Sequence, residues 1–248
     1  MTARGKQNSL SNTNGDNKVS LSIVVPAYNE EALIIHTIEH LLNISHQWVD
    51  DFEVIIVDDG SSDKTPEIID QLAQKYDTIH AYHQNPNRGF GATVRKGFEN
   101  SAKHFVMVCP VDYLFTLEDF DIYLALIKYS DIVIGYRRHR RQELPFYRRL
   151  VSSVYHTMVN IFFKLNFFDV NWIHMYHREQ IPLFIGDSEG VFFLAENIIK
   201  AKRLGLKITG VDVNYIERPA GVATGIKPLT ILKTVRELLS FYFRQMRT

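Results

Sequence analysis

Pro26-Ala27-Tyr28-Asn29-Glu30 follows one short apolar run, and about thirty residues further on Val57-Asp58-Asp59-Gly60-Ser61-Ser62-Asp63 closes a second. A carboxylate placed where a buried strand ends can accept hydrogen bonds from the N–H edge of a base or from ribose hydroxyls, and an aromatic ring there can pack on a base. Either segment alone is ordinary, because Asp-Gly-Ser after a strand is common turn and helix-cap chemistry; the two in succession are far more specific. A third apolar run, Phe105–Cys109, delivers Pro110-Val111-Asp112, and a fourth, Asp131–Gly135, delivers Tyr136-Arg137-Arg138. Arg137, Arg138, Arg140, Arg141, Arg148 and Arg149 face only Glu143 in their own segment. Such a cluster can be a solvated surface, can pair bidentately with phosphates, or can rest on an anionic membrane. His36, His80, His83, His174 and His177 do not have zinc-ligand spacing, and Cys109 at the end of an apolar run reads as core.

Short apolar runs alternating with amphipathic segments predict an α/β architecture, a parallel sheet covered by helices. Strands are expected at Leu21–Pro26, Phe52–Asp58, Thr78–Gln84, Phe105–Cys109 and Asp131–Gly135, and helices at Glu30–Leu42, Asp63–Tyr76, Ala92–Ser101, Leu117–Lys128 and Leu194–Leu204. Open sheets of this kind bind ligands beyond the carboxyl ends of their strands, which is where the four polar segments fall. Two further helices, Leu150–Phe168 and Leu229–Arg244, are amphipathic, with Leu232, Val235, Leu238, Leu239 and Tyr242 on one face of the second.

A chain of 248 residues with 46% apolar content fits one large domain, and its formal net charge of zero gives no electrostatic case for a nucleic-acid partner. The single cysteine rules out an internal disulfide and is compatible with a reducing cytosol. Residues 1–18 hold almost nothing that can be buried and are predicted to be a disordered tail. No run approaches the roughly 18 apolar residues of a membrane span, and the N-terminus lacks a signal-peptide core. The expected location is cytoplasmic, with at most a peripheral hold on the cytoplasmic membrane face.

The segments SIVVPAYNEE, EVIIVDDGSSDKT, Asn87-Arg88-Gly89-Phe90-Gly91 and DIVIGYR, in that order, resemble the family-2 glycosyltransferases of GT-A fold. Within them the likeness is to the dolichol-phosphate mannosyltransferase-like and polyprenyl-phosphate glycosyltransferase group, over roughly Leu21 to Phe243. The resemblance implies a Rossmann-like GT-A domain over 19–228, between the tail and a C-terminal amphipathic helix at 229–248. It implies that Pro26, Tyr28, Glu30, Val57 and Asp59 line a nucleotide-sugar pocket, with Asp58 supporting them, and that Arg137 and Arg218 contact donor phosphates. The family's Asp-x-Asp segment falls on Pro110, Val111 and Asp112, so its first acid is missing, and a further metal-supporting Gln falls on Leu114. Mg2+ or Mn2+ normally takes two carboxylates plus diphosphate oxygens, so metal binding here would rest on Asp112 alone. The Ser-Lys that follows the second arginine in the mannosyltransferases is here Ala223-Thr224. Asp169 and Glu196 match acids near the sugar, candidates for a general base if the acceptor is a hydroxyl; a phosphate acceptor needs none. The implied reaction is inverting transfer from a UDP- or GDP-linked sugar to a polyprenyl or dolichyl phosphate. Two alternatives stay open: a catalytically silent GT-A module that binds a nucleotide or partner, motivated by Pro110 and Leu114, and a transferase acting on a soluble hydroxyl.

Overall fold

The computed structural model describes residues 19–112, 116–137, 146–165, 167, 169–213 and 228–245. The tail at 1–18, Leu114, Arg138, Arg140, Arg141 and Arg218 lie outside them. Seven strands form one sheet: β1 (Ser20–Ala27), β2 (Asp51–Asp58), β3 (Ile79–His83), β4 (Phe105–Val108), β5 (Ile132–Tyr136), β6 (His174–His177) and β7 (Ile208–Asp212), in the order β3-β2-β1-β4-β6-β5-β7. Every pairing is parallel except those of β6, which runs antiparallel to both β4 and β5. The helices are α1 (Ile34–Trp48), α2 (Thr65–Lys75), α3 (Phe90–Glu99), α4 (Leu117–Ile127), α5 (Phe146–Phe163), the single turn α6 (Ile181–Phe184), α7 (Phe192–Arg203) and α8 (Pro228–Gln245).

Strand alternation divides the core into two layers. Ile23, Val25, Val54 and Ile56 face α1, α2 and α4, whereas Val24, Ile55 and Val57 face α3, α7 and α8. All are fully buried, and each such side chain contributes about 1.5–3 kcal/mol on burial. Helix α3 approaches β1 so closely at Gly97 that an added Cβ would overlap Val24. In α1 the buried face runs Ile34, Thr37, Ile38, Leu41, Leu42, Ile44 and Ser45, the i, i+3, i+4 spacing of a half-buried helix.

Strands β6 and β7 are additions to the expected sheet. His-Met-Tyr-His lacks the continuous apolar run of a buried strand, but its side chains find internal partners: His174 Nδ1 lies 2.6 Å from Tyr176 Oη, with Nε2 left unpaired in the core, and His177 Nε2 lies 3.2 Å from the carbonyls of Ile127 and Ser130. Burial pushes the His174 imidazole down to about 3, so it stays neutral. The apolar face expected for α8 is also corrected. Leu238 and Phe241 are buried and Thr234 nearly so, whereas Leu232 is exposed, because α8 turns its Thr234–Leu238–Phe241 stripe toward the core. Phe241 meets Phe163 and Phe192, and Tyr242 meets Phe162, so much of the aromatic surface of α5 and α8 is spent on mutual packing.

Candidate functional site

The register of β1 against β2 pairs Ala27 with Asp58, so the two N-terminal motifs leave the sheet at the same level. They then lock together. Asn29 adopts φ 55, a left-handed conformation that Asn tolerates better than most residues. Its backbone N–H donates to Ser61 Oγ at 2.9 Å, and its side-chain Oδ1 accepts from the Ser62 N–H at 2.8 Å. Glu30 N–H donates to Thr65 Oγ1, Glu31 N–H to Asp63 Oδ2, and Lys64 N–H to Glu31 Oε2. The Glu30 carbonyl takes the Leu33 and Ile34 N–H groups, closing a turn ahead of α1, which begins four residues later than the sequence pattern predicts.

The two adjacent aspartates divide the work. Asp58 is buried and accepts from the Ser61 N–H at 3.0 Å, with His83 Nδ1 3.4 Å from its other oxygen, so it shapes the turn. Asp59 reaches across to the loop before α3. Its Oδ1 accepts from the Arg88 N–H at 2.8 Å and its Oδ2 from the Gly89 N–H at 2.9 Å. Burial raises the Asp59 pKa, and these backbone donors oppose the rise only in part. Gly89 has φ 98 and Gly60 φ 71, conformations that favour glycine, and both loops close around these residues.

Beyond the carboxyl ends of β1, β2 and β4 lies a cleft of about 490 Å³. Pro26, Tyr28 and Glu30 line it from the first motif, Asp59 from the second, and Pro110, Val111 and Asp112 from the segment after β4. Cys109 N–H donates to Val24 O at 2.9 Å and the Val111 carbonyl accepts from Thr37 Oγ1, which fixes the path of that third segment. The opposite wall is Asn87, Gly89, Phe90 and Thr93, then Gly190 and Val191 before α7, then Thr230, Lys233 and Thr234 of α8. These walls are joined: Gly91 N–H donates to the Glu189 carbonyl at 2.7 Å, Arg95 donates to the carbonyls of Gly186 and Ser188, and Gly190 N–H donates to Glu237 of α8 at 3.0 Å.

Residues 22–181 match the family described as Glycosyl transferase family 2. The chain belongs to glycosyl transferase family 2. It is 26% identical over 239 residues to the glycosyltransferase AglD of Haloferax volcanii, covering 93% of this chain and 37% of that protein. It is 28% identical over 228 residues to a dolichyl-phosphate beta-glucosyltransferase of Trichomonas vaginalis, covering 80% of this chain and 66% of that protein. An undecaprenyl-phosphate 4-deoxy-4-formamido-L-arabinose transferase of Photorhabdus laumondii is 28% identical over 203 residues, 81% of this chain and 61% of its own length. The chain thus spans between 37% and 66% of these curated relatives. Its fold is GT-A-like: glucosyl-3-phosphoglycerate synthase from Mycobacterium tuberculosis, solved with Mn2+, UDP and phosphoglyceric acid, superposes with a TM-score of 0.66 at 19% identity, covering 90% of this chain and 78% of that one.

Not every residue carried over from this family reaches the cleft. Val57 is fully buried with Val94 and Phe98 of α3, because it sits inside the strand end where the helix covers it. Arg137 does not line the cleft: its Nε donates to Asp169 Oδ2 at 2.7 Å and its guanidinium lies 4.1 Å over the Trp172 ring. Asp169 also accepts from the Asn171 N–H and has His156 Nε2 at 3.8 Å. Burial works to raise its pKa, but the charge and hydrogen bond of Arg137 outweigh it and hold the carboxyl below the usual range.

Glu196, which the resemblance puts near the sugar, is completely buried. Its oxygens accept from the Asp187 N–H at 3.1 Å and the Ser188 N–H at 2.9 Å, with Lys200 Nζ at 3.1 Å. Burial opposes ionisation, yet these donors lower its pKa. It is a clamp for the loop that carries Gly190 and Val191, not a group open to substrate.

Thr230, Lys233 and Thr234 line the cleft but were missed in the sequence, although with Glu237, which holds the Gly190 N–H, their i, i+3, i+4, i+7 spacing was a readable polar stripe. As for a divalent metal, Asp112 is the one carboxylate of its segment, Pro110 has no side-chain donor, and among the described residues no group of three or more His, Cys, Asp or Glu converges. This donor set does not fit a metal held by protein ligands alone.

Proposed function

We propose that this chain is an inverting glycosyltransferase that moves a hexose from a UDP- or GDP-linked sugar to a polyprenyl phosphate. Tyr28, Glu30 and Asp59 form the nucleotide end of the cleft, and Asp112 lies toward the diphosphate. The observation that carries the reading is the fate of the two candidate bases. Asp169 is paired to Arg137, and Glu196 is buried under two backbone N–H groups and Lys200. A hydroxyl acceptor would need a base to take its proton. A lipid phosphate arrives already anionic: its oxygen attacks the anomeric carbon, the bond from that carbon to the nucleoside diphosphate breaks, and the diphosphate leaves with the electron pair, with no proton to relocate. Relatives named for dolichyl phosphate and undecaprenyl phosphate favour the same acceptor class.

The GT-A domain at 19–228 and the helix at 229–248 would act together on the cytoplasmic membrane face. No described helix is long and apolar enough to cross a membrane. Val154 and Ile161 on α5 and Leu232 and Phe243 on α8 are exposed apolar side chains that support a peripheral hold. The test is transfer from UDP- and GDP-hexoses to undecaprenyl phosphate in detergent, with product read as a lipid-linked monophosphate sugar. Transfer lost in Asp112→Ala and nucleotide binding lost in Asp59→Ala are expected. Nucleotide binding without turnover on any lipid phosphate would instead establish the silent module that Pro110 motivates.

A further inference from the structure

We propose that Lys233, on the C-terminal helix α8, is a binding residue for the donor's diphosphate, so that α8 is part of the nucleotide-sugar site. This inference rests on the nucleotide reading of the cleft and adds the group that meets its phosphates.

The argument starts from charge. Glu30, Asp59 and Asp112 all line the cleft, and a nucleoside diphosphate is itself a polyanion. Bringing it there needs a counter-charge. The single carboxylate of the Pro110–Asp112 segment does not make a protein-built metal site, and Arg137 is paired with Asp169 away from the cleft wall. Among the described residues lining the cleft, Lys233 is the only cation.

Its placement is built, not incidental. Thr230, Lys233 and Thr234 lie on the face of α8 that closes the cleft, and Glu237, one turn on, accepts from the Gly190 N–H at 3.0 Å. Gly190 follows Glu189, whose carbonyl holds the Gly91 N–H, and Gly89 of that same loop is held by Asp59. A chain of hydrogen bonds thus runs from the base-facing aspartate to α8. At its end a methyl built on Gly89 would sit 3.6 Å from Lys233 Nζ, so the ammonium lies against the loop that Asp59 holds, on the wall of the cleft that both share. An ammonium with three donors on a flexible stem meets phosphate oxygens without demanding one geometry.

The test measures binding of UDP and GDP against uridine and guanosine, by calorimetry, in the wild-type chain, Lys233→Ala and Lys233→Arg. Lys233 is exposed, so thermal unfolding should be unchanged in both variants and reports that the fold is intact. Lys233→Ala is expected to weaken the diphosphate at least about tenfold, the loss of one charge-assisted hydrogen bond, and to leave the nucleoside unchanged. Lys233→Arg should restore most of the loss. A Lys233→Ala variant that keeps the wild-type ratio of diphosphate to nucleoside affinity overturns the inference while the nucleotide reading stands. A wild-type chain that binds neither diphosphate overturns both.

Discussion

Replacing Glu196 separates a structural acid from a catalytic one. Its carboxylate accepts two backbone N–H groups, at 3.1 and 2.9 Å, and faces Lys200 at 3.1 Å, with no solvent exposure. A hydrogen bond to a charged group contributes about 1.5–3 kcal/mol, and deleting one partner of a buried pair costs about 3–5 kcal/mol. Lys200 also donates to the Ile185 carbonyl and to Asp187 and stays partly in water, so it is not stranded when Glu196 goes. The Ser188 N–H, in a buried residue, has no such refuge. Glu196→Ala should therefore lose about 3–4 kcal/mol in urea unfolding, and Glu196→Gln, which keeps one acceptor oxygen, roughly half of that. Because the folded pKa is lowered, the stabilisation is present above the unfolded value near 4.3 and is lost as pH falls through the folded value. The gap between wild type and Glu196→Ala should close in acid. Transfer by Glu196→Gln should fall only as far as the Gly190–Val191 wall is displaced, as a rise in donor KM. A Glu196→Gln variant with the wild-type unfolding midpoint and a hundredfold lower kcat would refute the clamp and restore Glu196 as a catalytic group.

Three other perturbations have defined outcomes. Removing Arg137 by substitution to Ala leaves Asp169 buried without its main counter-charge, and about 3–5 kcal/mol of stability should go with it, measured by urea unfolding; Asp169→Asn alongside Arg137→Ala should recover part of that loss. Gly97→Ala forces a methyl into Val24 between α3 and β1, so a loss of about 1–3 kcal/mol is expected in thermal unfolding, relieved by pairing it with Val24→Ala. His83 bridges Asp70 at 3.1 Å and Asp58 at 3.4 Å, and although burial disfavours the charged ring, the two carboxylates raise its pKa. Its stabilisation is then fully present below about pH 6.5 and disappears as pH rises through the raised folded value, so the stability difference between wild type and His83→Gln should be larger at pH 6 than at pH 8.5.

β1, β2, β4 and β5 were legible because they are largely apolar runs that stop at or just before Pro, Asp or Gly. β1, β2 and β4 carry their polar segments to one edge by register alone. β6 was not legible, because His-Met-Tyr-His carries no apolar run, and the partners of His174 Nδ1 and His177 Nε2, the Tyr176 hydroxyl and the Ile127 and Ser130 carbonyls, are set by the fold. The site divides in the same way. Tyr28, Glu30, Asp59 and Asp112 reach the cleft because each stands at or just past a strand end. Arg137 also stands past a strand end, yet Asp169, 32 residues later, claims its guanidinium, a pairing no local pattern encodes. Glu196, matched by resemblance to an acid near the sugar, has a burial that was not legible, because the Asp187 and Ser188 N–H groups that enclose it come from a loop whose path the helix pattern does not encode.

These internal engagements bear on how loss-of-function variants should be read. Asp59 faces the cleft and also holds the Arg88 and Gly89 N–H groups, and that loop supports Glu189, Gly190 and, through Glu237, helix α8. Asp59→Ala therefore removes a ligand contact and loosens the opposite wall together, so weaker nucleotide binding in that variant alone does not separate contact from scaffold. Asp59→Asn does. Its Oδ1 alone accepts from the Arg88 N–H at 2.8 Å and from the Gly89 N–H at 3.2 Å, so as the amide oxygen it keeps both loop contacts, whereas the Oδ2 position becomes an NH2 group that can no longer accept from a ligand. If Asp59 acts by accepting from the base, Asp59→Asn should lose most nucleoside affinity while keeping wild-type unfolding; if it acts only through the loop, Asp59→Asn should bind nucleoside nearly as the wild type does, and the base must then be recognised by Tyr28 and the backbone around it.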